Sequence, residues 1–404
     1  MKAGWKTVNL GEVCSFERGL TYSKSDEADA PGITVLRANN VDLTSGQLNL
    51  DDLRYISAKV AVHEKKYLSA NSIIVCTASG SRDHLGKTAH ISEPPRMTFG
   101  GFMGLLRPSP EIDSRFLFHL TRSDLYRSLI SGLSSGTNIN NLKGSDLLSW
   151  EIPLPPLAEQ KRIVALLDAA FAGIDEAMAK AEACLAGSKS LIDCHLRAVF
   201  CEQTNRWEKS TIGAEMRFID YRGKTPAKTA SGIRLITAKN VKMGHLQDTP
   251  MEFIATKDYD KWMTRGIPRK GDVLFTTEAP LANVAQLDTD EKVAFAQRII
   301  ILQPNANRLN SSFLKYLLIS QPVQERIRAK GTGATVQGIK ASLLKLIEIS
   351  FPQKLTTQEE VVAKMDTLLV QARNLTKVHV QRIEALNELK KSILTQAFAG
   401  ELTA

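Results

Sequence analysis

Cysteine is scarce in this chain. It occurs five times in 404 residues, at Cys14, Cys76, Cys184, Cys194 and Cys201, an odd number with no C-x-x-C pair. That pattern excludes a disulfide framework and a thiolate zinc site. The seven histidines are scattered and none stands in H-E-x-x-H spacing, so metal-dependent hydrolysis is not indicated. No run of eighteen apolar residues occurs, and the opening Met1-Lys2-Ala3-Gly4-Trp5-Lys6 lacks the apolar core of a signal peptide. The expectation is a soluble, cytoplasmic protein with no membrane partner.

Catalytic signatures are missing too. Ser81-Arg82-Asp83-His84-Leu85-Gly86-Lys87-Thr88 ends like a phosphate loop, but the required first glycine is Ser81, and Ala89-His90-Ile91 does not start a helix. Phe99-Gly100-Gly101-Phe102-Met103-Gly104 is glycine-rich without the G-x-G-x-x-G spacing of a dinucleotide site. There is no Asn/Asp-Pro-Pro-aromatic tetrapeptide of an amino-methyltransferase and no G-x-S-x-G elbow. The chain reads as non-catalytic, with no cofactor of its own.

What is present is written twice. Trp5 and Gly11 recur as Trp207 and Gly213, at an offset of 202. Ala38-Asn39-Asn40-Val41 recurs as Ala238-Lys239-Asn240-Val241 at offset 200, and Gln160 to Asp168 as Gln358 to Asp366 at offset 198. A period this long marks two whole domains, not a solenoid. The net charge of +9 is unevenly shared: residues 1–202 carry 22 Lys and Arg against 23 Asp and Glu, residues 203–404 carry 30 against 20. A basic balance favours a polyanionic partner, usually nucleic acid.

Each half opens with short apolar runs broken by Gly, Pro and Asn, the pattern of a mixed α/β domain, and closes on a proline-marked boundary. A long stretch without proline then follows. In the first, Ile163, Leu167, Ala170, Ile174, Met178, Ala181, Leu185, Ser188, Ile192, His195 and Val199 fall at steps of three and four, a coiled-coil seam. In the second, the expected seam is Val361, Met365, Leu368, Ala372, Leu375, Val378, Ile383, Leu386, Leu389, Ile393 and Ala397, with a five-residue slip after Val378. The expected segments are therefore a domain over 1–156, a helix over 157–203, a second domain over 204–355 and a second helix over 356–404. Neither rod can leave its stripe in water, so the two should pair as an antiparallel coiled coil between similar domains related by a pseudo-twofold axis. The expected fold class is α+β.

Two polar loops in each domain could touch nucleic acid. Thr77 to His84 pairs with Thr276 to Asn283, and Ser134 to Lys143 with Lys330 to Lys340. Asn and Gln bond adenine edges, Arg and Lys read guanine, and small hydroxyl residues hold phosphates. The candidates are Ser79, Ser81, Arg82, His84, Lys87, Thr137, Asn138, Asn140 and Lys143 in the first half, and Thr277, Asn283, Lys330, Thr332, Thr335, Gln337 and Lys340 in the second.

At Pro153-Leu154-Pro155-Pro156-Leu157-Ala158-Glu159-Gln160-Lys161-Arg162-Ile163-Val164, with the duplicated layout and the terminal Ala397-Phe398-Ala399-Gly400-Glu401-Leu402, the chain closely resembles the specificity subunits of type I restriction-modification systems. The resemblance covers essentially the whole chain. It implies two target-recognition domains, each reading one half of a split sequence in double-stranded DNA. It implies that the helices hold them apart and bind two methyltransferase subunits that modify adenine N6, with Glu159, Gln160, Ile163, Leu167, Ile174, Gln358, Val361, Met365 and Leu368 as docking candidates. S-adenosylmethionine would belong to those subunits, and ATP and Mg to a restriction translocase. The second copy of the motif, Phe351-Pro352-Gln353-Lys354-Leu355-Thr356-Thr357-Gln358-Glu359, has lost the double proline and the Glu-Gln order, so its docking surface should differ. Two other readings are a protein-binding coiled-coil scaffold without DNA readout, which would lack salt-dependent DNA binding, and a stand-alone modifying enzyme, which would transfer methyl groups without partners.

Overall fold

The structure is a computed structural model that describes residues 4–29, 32–43, 45–94, 96–133, 141–202, 207–223, 225–333 and 337–402. It divides into two compact units, Met1–Ala181 with Gln381–Ala404, and Glu182–Val380.

In the first unit the strand Ser72–Cys76 is buried at all five positions: the apolar Ile73-Ile74-Val75-Cys76 is covered on both faces, and Ser72 donates its hydroxyl to the Ser69 carbonyl (2.6 Å). It lies between Met103–Pro108 and Thr88–Ile91, with Cys14–Arg18 beyond, in one antiparallel sheet. A second sheet is ordered Glu27–Ala28, Arg54–Ile56, Ile33–Leu36, Thr98–Phe99, with its last pair parallel. The second unit repeats the first sheet strand for strand: Met216–Asp220, Ile299–Pro304, Val273–Thr276, Val284–Gln286. The register repeats as well. Ile73 faces Leu106 and Cys76 faces Met103, while Val273 faces Leu302 and Thr276 faces Ile299. Most pairs are antiparallel, so each unit is α+β.

The repeated Asn40 and Asn240 are buried and structural. Each accepts an N–H three residues back (Arg37 and Thr237, both 2.9 Å) and donates to carbonyls of the following loop, Asn49 and Asp52 or Gln247 and Pro250.

The first unit carries two short helices, Ser114–Leu120 and Asp124–Leu133. Asp113 caps the first by accepting from the N–H groups of Arg115 and Phe116, and Asn310 caps Ser311–Ile319 in the same way. Such caps contribute about 1 kcal/mol each.

The long helices are Leu157–Arg197 and Leu355–Ala399, each on the order of 60 Å or more at 1.5 Å per residue. Gly400, at φ +77°, ends the second in the left-handed conformation, and Glu401 N–H returns to the Gln396 carbonyl. In the first unit the start of the first helix packs with the end of the second: Ile163, Leu167, Phe171 and Ile174 share a core with Leu394, Ala397 and Phe398. In the second unit Leu196, Val199 and Phe200, from the end of the first helix and the turn after it, share a core with Met365 near the start of the second. Start against end in both units makes the pairing antiparallel.

The expected seam of the first helix holds, with no member exposed. That of the second needs correction. Leu375, Val378 and Leu389 are 44%, 56% and 46% exposed. The covered positions run instead through Ala372, Thr376, His379, Ile383, Leu386, Lys390, Ile393 and Ala397, at steps of three and four with no slip. Lys390 is tolerated there because its ammonium bonds Asp175 and lies 5.7 Å from the centre of the Phe171 ring. No helix among the described residues is long and apolar enough to cross a membrane.

Candidate nucleic-acid interface

In each unit three chain segments meet at the end of the most buried strand. After Ser72–Cys76, the Thr77 N–H donates to the Phe102 carbonyl (2.8 Å), the Thr77 carbonyl accepts from Leu142 N–H (2.7 Å), and Ala78 bridges Asn141. After Val273–Thr276, the Thr277 N–H donates to the Arg298 carbonyl (2.9 Å), its carbonyl accepts from Ile339 N–H (2.9 Å), and Glu278 bridges Gly338. The same backbone frame thus joins the two polar loops read from sequence and adds a third, at residues 100–103 and 296–298.

The frame opens on a cleft in each unit. The first, of about 530 Å³, is lined by Arg18, Tyr22, Arg37, Asn39, Gly101 and Phe102. The second, of about 370 Å³, is lined by Arg222, Thr277, Glu278, Arg298, Thr332 and Lys340. Arg222 is held on Asp220 through Nε (2.8 Å) and Nη2 (2.5 Å). Burial alone would raise the Asp220 carboxyl, but the bonds from Arg222 outweigh it and hold it below the ordinary range. Arg265 adds a third guanidinium, donating to the carbonyls of Asp220 and Arg222.

The candidate contacts fall into three groups. His84, Lys143, Lys330, Thr332, Gln337 and Lys340 are exposed, and Ser79 and Ser81 half-buried, with Ser81 N–H turned onto Ser79 Oγ. Three are excluded by burial or commitment. Lys87 is buried, and desolvation depresses its pKa. Thr277 is buried with its hydroxyl on the Arg298 carbonyl, and Asn283 donates to the Val241 carbonyl. Thr137, Asn138, Asn140 and Thr335 lie outside the described residues; so does the side chain of Arg82, whose backbone opens a single turn. Sequence reasoning missed Phe102, Arg222, Arg265 and Arg298. The signal for Phe102 was the glycine-rich segment around it, set aside for its wrong spacing.

The docking candidates need a larger correction. Ile163, Leu167, Ile174 and Met365 are spent on the chain's own cores. Gln160 and Gln358 are fully buried, and each ties a long helix to its domain. Gln160 Oε1 accepts from Asp113 N–H (2.7 Å) while Nε2 donates to the Glu111 and Pro155 carbonyls (3.1 and 2.9 Å). Gln358 does the same with Asn310 N–H and the Arg308 and Pro352 carbonyls (2.8, 2.8 and 2.7 Å). The second motif has therefore kept the residue that makes the internal tie. Glu159 is half-buried on Arg162, whose guanidinium also reaches the Leu402 carbonyl. Val361 and Leu368 are partly buried.

A further tie joins Asp168 to Arg115 (2.8 Å) and to buried His119 (2.9 Å); in the second unit Tyr316 donates to Asp366. Burial brings His119 down from 6.5 to about 4; Asp168 opposes this, while Arg122 and Arg115 reinforce it. The unfolded chain therefore binds the extra proton between those values, so stability is full above pH 6.5 and lost as pH falls towards 4. The first unit should lose about 2 kcal/mol between pH 7 and 5 from this group. Urea unfolding of the wild type and His119→Gln at both pH values checks it; equal pH dependence in the two would refute the assignment.

The sequence profile of the type I restriction modification DNA specificity domain matches residues 2–182 and 233–385. The chain belongs to that family. It is 29% identical to the type I restriction enzyme EcoKI specificity subunit of Escherichia coli K12, over 99% of this chain and 90% of that one. To the StySPI specificity subunit of Salmonella potsdam it is 28% identical over the same shares. Two solved structures share the fold. A chain from work on assembly and conformational transition of the type I R-M system superposes with a TM-score of 0.78 at 22% identity, covering 99% of both chains. The HsdS subunit from Thermoanaerobacter tengcongensis gives 0.61 at 22% identity, covering 100% of this chain and 98% of that one. This specificity-family chain is a DNA-recognition subunit built of two similar domains and two long helices.

Proposed function

We propose that each unit reads one half of a bipartite sequence in double-stranded DNA, and that the long helices set the gap and dock two adenine-N6 methyltransferase subunits. The supporting observation is the repeated frame around Thr77 and Thr277, which carries different outward chemistry in its two copies. Ala78, Asn141 and Phe102 in the first become Glu278, Gly338 and Arg298 in the second. A shared scaffold with exchanged side chains is how two related modules read two different sequences. The chain performs no chemistry itself in this reading; S-adenosylmethionine is held by the methyltransferases, and ATP and Mg by a restriction translocase. Docking falls on exposed side chains of the second helix, such as Leu375 and Val378, which share a helical face three residues apart.

Exchanging residues 1–150 for the matching domain of a relative should change one half of the methylated sequence and leave the other half and the gap unchanged. Genome-wide mapping of methylated adenines reads this directly. An exchange that altered both halves, or neither, would end the half-site reading.

A further inference from the structure

The third loop of the frame carries the sharpest chemical difference between the units. In the first, Phe102 follows Gly100 and Gly101 and is 71% exposed. Its carbonyl is turned inward, accepting from the N–H groups of Thr77 and Ala78 (2.8 and 3.2 Å). In the second unit Arg298 holds the same register, immediately before the strand Ile299–Pro304, with its carbonyl on Thr277 N–H (2.9 Å).

Arg298 has φ +77°, a left-handed conformation that a bulky side chain adopts only where the surroundings enforce it, and such outliers gather at functional sites. Its side chain is 45% exposed, with Glu278 Oε1 3.0 Å from Nε orienting the fork. Arg222, paired with Asp220, and exposed Lys340 line the same cleft, and Arg265 donates to the Asp220 and Arg222 carbonyls, an arrangement of cations suited to phosphates. Near Phe102 the Arg18 guanidinium donates to the Gly101 carbonyl, and Arg37 lines the same cleft.

We propose that this paired position reads bases: Arg298 donates to O6 and N7 of a guanine in the second half-site, and Phe102 packs on the methyl group of a thymine in the first. Both pairings follow from the groups that the major groove displays. The proposal rests on each unit reading one half-site.

The test uses the chain assembled with its methyltransferase subunits and duplexes carrying the mapped site. 7-Deazaguanine, which lacks the N7 acceptor, replaces each guanine of the second half-site in turn. At one position methylation by the wild type should fall about 5- to 150-fold. Arg298→Gln should be insensitive to that replacement and should accept other bases there, while Arg298→Lys should retain part of the preference. In the first half-site, deoxyuridine for thymine should weaken the wild type severalfold at one position and leave Phe102→Ala unaffected. A second half-site without a G·C pair, or an Arg298→Gln complex with undiminished discrimination, overturns the assignment of Arg298. Equal deoxyuridine sensitivity in the wild type and Phe102→Ala overturns that of Phe102. Failure of half-site reading itself is seen separately, as a domain exchange that leaves the methylated sequence unchanged.

Discussion

Leu167→Asp should unfold the first unit, whereas Val378→Asp should leave thermal unfolding within about 0.5 kcal/mol of the wild type. Leu167 is 0% exposed, in a core shared by the domain helix Ser114–Leu120 and both long helices. Removing its side chain alone costs about 2–5 kcal/mol, and an unpaired buried carboxylate adds several more. The sum approaches the whole stability of a typical domain, about 5–15 kcal/mol. Val378 is 56% exposed, so a charge there meets water. Its expected effect is on assembly: the folded variant should bind methyltransferase subunits more weakly on sizing. A Leu167→Asp protein melting with the wild type would refute the shared core. Unchanged assembly of Val378→Asp would place docking on another face.

The contrast shows what was legible in the sequence. The duplication, the two rods and the first seam were readable because apolar spacing follows burial directly at Ile163, Leu167 and Ile174. The second seam was misread because Thr376, His379 and Lys390 occupy covered positions while Leu375, Val378 and Leu389 face solvent. At Lys390 the polar side chain is accommodated by Asp175 and the Phe171 ring, partners that apolar spacing does not encode. The interface was half legible. Loop composition located two of its three strands of chain, but the inward commitments of Lys87, Thr277 and Asn283 depend on contacts that spacing does not encode. Phe102 and Arg298 are equivalent only through the folded register, in which the Phe102 carbonyl accepts from Thr77 N–H and the Arg298 carbonyl from the corresponding Thr277 N–H. Likewise the conspicuous Glu-Gln pair suggested a docking surface, whereas Gln160 turns inward.

That inward turn predicts the second large effect. Gln160→Glu, nearly isosteric, should destabilise the first unit by several kcal/mol at pH 8, and Gln358→Glu should do the same to the second. Each amide meets one N–H and two carbonyls, so its nitrogen cannot be replaced by an oxygen without setting acceptor against acceptor. A buried group left unpaired costs about 1–3 kcal/mol, more when the intruder is charged. Protonation restores one donor, so burial and the facing carbonyls should raise the glutamic acid pKa in the folded state. A raised folded pKa gives stability that is present at low pH and lost as pH rises through it. Both variants should therefore recover in part on acidification from pH 8, opposite in sign to the His119 effect in the first unit. Gln160→Met, which leaves the three backbone groups without partners and has no charge to titrate, should be destabilised at every pH. Urea midpoints across pH 5 to 8 distinguish these cases. A Gln160→Glu protein as stable as the wild type at pH 8 would show that the helix-to-domain tie is not made through this amide.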